Sequence, residues 1–528
     1  MKLSKTLLTL TIIVSCVSMI QAQKIVQFSE YKIYKNEYGH TKIRIEPHTR
    51  NTDIGADASK YQKSSNVYGV LICYSINGEK KAKLLDMTYK LKNKGYYEYG
   101  LSYSSNSKVG SVSVTYFNMV DDFQCRSCEA RAGELVLDLG EQPLANNFLS
   151  PEDRDKFEPI FPLRLAVCTK CWLLQLTDLI PPAQLFSEYV YFSSYSNVWV
   201  KHAKDCSIRY REEFALDAES FVVEIASNDG YLLRNFAEAG IPHLGIEPAE
   251  NVAAVARKKN VKTRVDFFSE KLAKELAMEQ QADLIIAYNV FAHVPDLKDF
   301  ALGVKNILSE DGLFIFEVSY LKDVIKKLTF DTIYHEHMSY HALFPLINFF
   351  NSIDLKVLDF DLVEAQGGSI RVYVGHKNQK TNYKKIQKQI LLEKKMGLFK
   401  KNSYLKYYQR IQLQKERMKK IIKIHILEKN KTLIGYGAPA KVTTFCYAFD
   451  LSQKDIRAIV DDNNLKQGKL TPGKNIKIIK FKELYKIKFN YIIILAWNFA
   501  KPIIDKLKNS FKGKKFKIIV PFPNIKII

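Results

Sequence analysis

Phe221-Val222-Val223-Glu224-Ile225-Ala226-Ser227-Asn228-Asp229-Gly230 reads as a buried strand running into a tight turn. Tyr231 to Ala239 reads as a helix, and His243-Leu244-Gly245-Ile246-Glu247 as the next strand. The stretch is therefore one βαβ unit with an acidic residue closing its second strand. A dinucleotide turn would carry G-x-G-x-x-G, so that backbone can approach a pyrophosphate. This turn instead has a single glycine and the acids Glu224 and Asp229. Carboxylates repel a pyrophosphate and suit a cationic ligand. S-adenosylmethionine (SAM) carries a sulfonium and an ammonium, and Glu247 could accept both ribose hydroxyls. The alternative is an α/β domain without a nucleotide.

Downstream, the doubly wound pattern continues. Asp266-Phe267-Phe268 follows a third short strand and would flank an adenine. Ala282 to Asn289 is a fourth strand, with Asn289 at its carboxyl end, where ligands bind in such sheets. A helix and the strand Gly312 to Val318 then lead to Tyr334-His335-Glu336-His337. A histidine of near-neutral pKa is the usual proton mover. A neighbouring carboxylate can fix its tautomer, and a tyrosine can hydrogen-bond a developing oxyanion. His293 is a second candidate. The alternative is a polar turn with solvated histidines. His337 and His341 are four apart, which on a helix would give a metal pair, although H-E-x-x-H is absent.

From Leu355 the chain reads β-β and ends in Gln366-Gly367-Gly368-Ser369-Ile370-Arg371-Val372-Tyr373. A lysine-rich helical region follows from Tyr383 to Glu428. Thr432 to Lys441 opens a second α/β unit of strand, glycine turn and helix. Its helix amino end together with Lys441 would seat an anion. Asp461-Asp462-Asn463 closes the next strand, and Tyr491 to Trp497 is a later one.

Upstream, Tyr189-Val190-Tyr191-Phe192-Ser193-Ser194-Tyr195-Ser196 is dense in hydroxyls, as a substrate-facing loop would be, though an amphipathic segment reads the same way. Before it stand Cys125-Arg126-Ser127-Cys128 and Cys168-Thr169-Lys170-Cys171. Two C-x-x-C knuckles can close a tetrahedral four-thiolate zinc site with no open position, so the expected role is structural. A redox dithiol would want a thioredoxin-like βαβ setting, which is missing. Residues 23–117 are polar and strand-like, with Val67 to Tyr74 and Val109 to Phe117 as β-rich runs and no catalytic constellation. Lys2 and Lys5, the apolar run Leu7 to Ile20 and then Gln21-Ala22-Gln23 look like a secretory signal peptide. That run is short for a membrane span, and nothing later reads as one. A fused reading frame, with Met119 close to the original start, would account for the change of style.

At 528 residues the chain is too long for one core. The formal net charge of +23 raises nucleic acid as a partner. The excess is densest from Lys377 to Lys429 and from Lys454 to Lys517, where lysines mix with Ile, Asn and Tyr as on solvated helix faces. No nucleic-acid partner is expected, and a phosphate-bearing small substrate takes up part of the charge.

From Met119 to Ile528 the chain resembles the zinc-containing, SAM-dependent sugar C-methyltransferases, which act on nucleotide-linked 4-keto-deoxysugars. The resemblance rests on the order of several motifs: the paired knuckles, the Tyr-rich Ser-Ser loop, Glu224 to Gly230, Gly245-Ile246-Glu247-Pro248 and Asn289 to His293. Tyr334 to His337, Gly367 to Arg371, Gly435 to Lys441 and Ala496-Trp497-Asn498 complete the series. Each is weak alone, and the ordered set is specific. Ala226 stands where the family more often has glycine, and Tyr320 where histidine is common.

The chain reads as an α/β protein with four parts after the signal-like segment 1–22; the resemblance implies the last three and has no counterpart for the residues before Met119. The four are a β-rich extension (23–117), a zinc module (119–185), a Rossmann-like methyltransferase domain (186–350) and a C-terminal α/β domain that holds the nucleotide diphosphate (351–528). The resemblance implies SAM contacts from Glu224, Ser227, Asn228, Asp229, Gly230, Glu247, Pro248, Asp266, Phe267 and Asn289. Substrate contacts would come from Tyr189, Tyr191, Ser194, Arg371, Tyr436, Gly437, Ala438, Lys441 and Asn498, and zinc ligands from Cys125, Cys128, Cys168 and Cys171. His337 would remove the C3 proton, supported by Glu336 and Tyr334, with His293 in reserve. The catalytic part would then be cytoplasmic, in conflict with the signal-like start. The alternatives are O- or N-methyl transfer to a small molecule, and an exported zinc-containing binding protein with an inactive methyltransferase domain.

Overall fold

The computed structural model describes residues 29–35, 41–47, 67–76, 79–86, 97–102, 109–119, 123–155, 158–186 and 192–528. The signal-like segment, Tyr189 and Tyr191 lie outside the described residues.

Val222, Val223, Glu224 and Ile225 make a four-residue strand that is buried on both faces, as a parallel strand between helices must be. This strand, β1 (Val222–Ile225), pairs in parallel with β2 (His243–Ile246) and β4 (Ala282–Tyr288). With β3 (Thr263–Arg264), β5 (Leu308–Ser319), β6 (Leu355–Val363) and β7 (Ser369–His376) the sheet runs β3-β2-β1-β4-β5-β7-β6. Strand order reverses between β1 and β4, which opens a crevice beyond their carboxyl ends. β7 lies antiparallel between β5 and β6 and sets Arg371 opposite Glu317. Trp199, Tyr210, Phe236, Leu284 and Ile315 pack one face of the sheet beneath the helix Asn197–Glu213. The helix expected over Tyr231 to Ala239 is shorter than its sequence suggests. Only Arg234–Ala237 is α-helical, because the amides of Asn235 and Phe236 bond three residues back.

A second α/β layer follows the helices Tyr383–Lys395 and Lys401–Ile422. Its strands are β8 (Leu433–Tyr436), β9 (Ile456–Val460), β10 (Ile478–Ile479), β11 (Tyr491–Ile494), β12 (Lys517–Val520) and β13 (Lys526–Ile527), in the order β10-β9-β8-β11-β12-β13. Here too the order reverses beside the first strand, between β8 and β11. Ile434, Val460, Ile492, Leu507 and Phe511 form its core.

Of the knuckle cysteines, Cys168 ends a strand of a separate sheet whose strands run Ser339–Tyr340, Leu174–Leu176, Phe161–Cys168 and Gly133–Gln142, and the other three stand outside its strands. Its edge strand, Ser339–Tyr340, thus begins one residue beyond Tyr334 to His337. By its contacts the chain divides into two compact units: residues 1–124, 130–135 and 177–179, and residues 125–129, 136–176 and 180–528. Within the first, Ser29–Lys35, Thr41–Pro47 and Tyr97–Ser102 form one antiparallel sheet, and Glu79–Asp86, Val67–Ile76 and Val109–Met119 another. Among the described residues no helix is long and apolar enough to cross a membrane.

Candidate active site

The carboxyl ends of the parallel strands of both sheets open into one cavity of about 950 Å³. Ala226, Asn228, Glu247, Pro248 and Asn289 line it from β1, β2 and β4. Tyr436, Gly437, Lys441, Asp461 and Ala496 line it from β8, β9 and β11. Asp266, Phe267 and Asn498 also reach it.

The turn after β1 is shaped by left-handed backbone at Ala226 (φ +53°), Asn228 (φ +52°) and Gly230 (φ +72°). Asparagine and glycine accept that region at little cost, and alanine does not. The turn also draws close to β2: a side chain at Gly245 would meet the Ser227 hydroxyl at 2.4 Å. Glu247 is fixed by the amides of Asn228 (3.0 Å) and Ala249 (2.9 Å), one to each carboxylate oxygen. Each oxygen keeps a second lone pair, which is what a ribose diol requires. The side chain of Asn228 accepts the Ser193 amide at 2.8 Å, so the Ser-Ser loop is anchored on this turn. Glu224, Ser227, Asp229 and Gly230 do not line the cavity; they build the turn beneath it. Burial pushes the Glu224 carboxyl well up, against the Leu233 amide that it accepts. Asp229 accepts from the Ser194 hydroxyl and from Lys259 Nζ (3.0 Å), so its charge is neutralised inside the protein. Ser194 therefore braces the turn rather than facing the cavity.

The row Tyr334 to His337 splits by direction. The Tyr334 hydroxyl donates to His337 Nε2 at 2.8 Å, and His337 Nδ1–H donates to the Thr332 carbonyl at 2.7 Å. The tautomer is thus set by a backbone carbonyl, not by a carboxylate. The His293 ring stands edge-on to His337 at 4.8 Å, and both line the cavity. Burial, and to a lesser degree the Lys441 cation, hold His337 down at about 4 against the bond to Thr332, which raises it, so in the free protein the ring lies below the near-neutral base expected from sequence. Burial also pushes His293 well below its usual range, and its Nδ1 is buried with no hydrogen-bond partner among the described residues. Glu336 faces the cavity and accepts the Asn146 side-chain amide at 2.6 Å. His335 points away, 3.3 Å from the Phe161 carbonyl. The segment is a turn entering a strand, not a helix, and His341 bonds the Phe291 carbonyl, so no His337–His341 pair forms.

On the far wall, the amides of the glycine turn before the helix are already used. Gly437 donates to the Val460 carbonyl and Ala438 to Asp461, at 2.7 and 2.6 Å. Positive charge comes instead from two buried lysines. Lys441 stands 4.2 Å over the Trp497 ring, whose indole N–H donates to Asp331. Lys466 donates to the Ala438 carbonyl at 2.8 Å. Neither is ion-paired with a carboxylate among the described residues, and burial lowers both. The Tyr436 hydroxyl donates to Asp462, and the Asn498 amide lies 3.4 Å from Gln366. Arg371 is not at the cavity. Its place in β7 turns it toward the helix Asn197–Glu213, where it meets Glu317 at 2.5 Å and Cys206 at 2.9 Å. Sequence reading missed Asn146, Thr332 and Lys466. Only Lys466 carried a signal, and that was lost in a lysine-rich background.

The four knuckle cysteines converge. Cys125 and Cys171 sulfurs are 3.4 Å apart, Cys128 and Cys168 sulfurs 3.6 Å, and all four lie within 4.8 Å of one another. Zn–S bonds of about 2.3 Å in a tetrahedron ask for sulfurs ~3.8 Å apart, so the cluster fits zinc.

Three family models match in order: a "Putative zinc binding domain" over 125–186, a methyltransferase domain over 201–359 and a C-methyltransferase C-terminal domain over 364–523. These define a zinc-binding, SAM-dependent methyltransferase. At 34% identity over 407 residues, the chain matches the C-methyltransferase NovU of Streptomyces niveus, across 77% of this chain and 96% of that one. The chain belongs to this family of zinc-containing, SAM-dependent C-methyltransferases. Among solved structures, a SAM-dependent methyltransferase from Clostridium acetobutylicum is 17% identical, covering 34% of this chain and 92% of its own, with a TM-score of 0.28. The magnesium protoporphyrin IX methyltransferase of Synechocystis, with bound S-adenosylhomocysteine, is 12% identical, covering 34% and 85%, with a TM-score of 0.28.

Proposed function

We propose that this C-methyltransferase acts on a nucleotide-linked 4-keto-deoxysugar, taking the proton from C3 and adding the methyl group there. The observation that carries the reading is the chain Tyr334–His337–Thr332 at the wall of the shared cavity. A carbon acid beside a ketone needs a base and a donor for the enolate oxygen, and this chain offers both in one contact. Because Nδ1–H is committed to Thr332, Nε2 is the basic atom. His337 Nε2 takes the C3 proton, and the Tyr334 hydroxyl, released from Nε2, turns its proton to the enolate oxygen at C4. The Thr332 carbonyl then stabilises the imidazolium until solvent removes the proton.

SAM, when bound, supplies an electrophilic methyl group. Asn228, Glu247, Pro248, Asp266, Phe267 and Asn289 would hold it, with Glu247 on the ribose. The four cysteines would hold one structural zinc ion. Lys441 and Lys466 would take the diphosphate and Tyr436 and Asn498 the rest of the nucleotide sugar, so that residues 351–528 serve as the nucleotide-binding half. A diphosphate against Lys441 offsets the cation that depresses His337, so the base gains strength when the substrate is seated.

The test is exchange. In D₂O with S-adenosylhomocysteine in place of SAM, the wild type is expected to wash deuterium into C3 of a 4-keto-sugar nucleotide. His337→Asn should lose about 10²–10⁴ of that rate while binding SAM normally. Methylation at oxygen or nitrogen without exchange would replace this reading by O- or N-methyl transfer. Wild-type exchange in His337→Asn would move the base to His293.

A further inference from the structure

We propose that Arg126 is a positioning residue that ties the four-cysteine cluster to the catalytic loop. It rests on the reading of His337 as the base. Arg126 stands inside the first knuckle, between Cys125 and Cys128. Its own amide donates to the Gln175 side chain at 2.9 Å. Its guanidinium reaches across to the loop's exit. Nη1 donates to the Leu176 carbonyl at 3.0 Å, Nη2 to the Met338 carbonyl, and Nε lies 3.4 Å from the Ser339 hydroxyl.

Met338 follows His337 directly and is held on both sides. Its carbonyl also accepts the Leu176 amide at 2.9 Å, and its amide donates to the carbonyl of Ala292, the neighbour of His293, at 2.8 Å. Beyond it, Ser339 pairs with Gln175 and Tyr340 with Leu174. The residues between Thr332 and Met338 have no regular structure. The set of the His337 ring therefore depends on where Met338 is pinned, and a charged donor shared by two carbonyls is the strongest of those pins. A rigid metal knuckle is a firm base for such a donor, because its two-residue gap leaves Arg126 no slack. None of these contacts touches the SAM wall.

The full chain is compared with Arg126→Met and Arg126→Lys. The Met variant is expected to keep one zinc by elemental analysis and to bind SAM within about twofold of wild type by calorimetry. Its kcat should fall roughly 10²-fold, the cost of a small misplacement of a reacting group. In protein labelled with ¹³C-histidine, the His337 ring signal, assigned by its loss in His337→Asn, should move. The Lys variant, with one donor head in place of a fork, should be about tenfold slower, with a smaller shift. Wild-type kcat with an unmoved His337 signal overturns the proposal. So does a loss of rate matched by loss of zinc or of SAM affinity. Should Arg126→Met fail to fold, the same readouts on Arg126→Lys decide. The ring signal reads the coupling whatever the reaction is, so failed exchange in wild type would sink the base assignment alone.

Discussion

The Thr332 carbonyl accepts from His337 Nδ1 at 2.7 Å, and this single contact decides which ring nitrogen can act. The pH dependence follows from the same ring. If His337 is the base, its neutral form is the active one and protonation removes it. Burial, and less strongly Lys441, hold the ring at about 4 rather than 6.5, against the bond to Thr332, which raises it. Activity should therefore be lost only as pH falls through about 4, as the acid limb of kcat/KM, which reports the free enzyme. In kcat the limb should lie higher, because a bound diphosphate offsets Lys441. A pH–rate profile with its acid limb in kcat/KM at 6.5 would mean that His337 is not the base. The tyrosine and the histidine were legible in the sequence because they are close neighbours in it. Thr332 was not, since a backbone carbonyl has no residue signature. Arg371 misled for a different reason: its strand reads correctly, but only the pairing with Glu317 tells which way the side chain faces.

At the scale of elements, the turn after β1 shows what local pattern can and cannot give. Its single glycine and its acids were enough to separate it from a pyrophosphate loop. They did not reveal that Glu224 and Asp229 are spent inside the turn, which needs the positions of Leu233 and Lys259. The same holds for β8, where the glycine turn was legible and the capture of its amides by Val460 and Asp461 was not. The insertion of β7 between β5 and β6 is a long-range pairing and leaves no trace in periodicity. Ala226 offers a test at this scale. Its φ of +53° strains a residue with a Cβ, and a side chain one carbon shorter removes the strain. Ala226→Gly should stabilise the protein by about 0.5–1 kcal/mol, less whatever glycine adds to the freedom of the unfolded chain. A denaturation midpoint that falls on substitution would show that the strain is not felt.

For the whole molecule, the family models begin at Cys125, and the match to NovU spans 407 residues of the 528. Every residue given a role above also lies after Met119. A chain beginning at Met119 is therefore expected to fold and to methylate at a rate within about twofold of the full chain. Insoluble or inactive protein from that start would give the β-rich residues before it a part in the enzyme. The ordered motifs made the succession of zinc, methyltransferase and C-terminal parts legible. That two sheets, each with its own reversal of strand order, open into one cavity was not, because nothing in either half of the sequence refers to the other.

That single chamber has a stereochemical consequence. Donor and acceptor would be held in the same space, and among the described residues no cysteine lines it to carry the group between them. On the proposed reading, transfer is expected to be one in-line displacement at the methyl carbon. With a donor whose methyl is made chiral by hydrogen, deuterium and tritium, the product should carry that methyl with inverted configuration. Retention would instead mean a relay through a group of the protein.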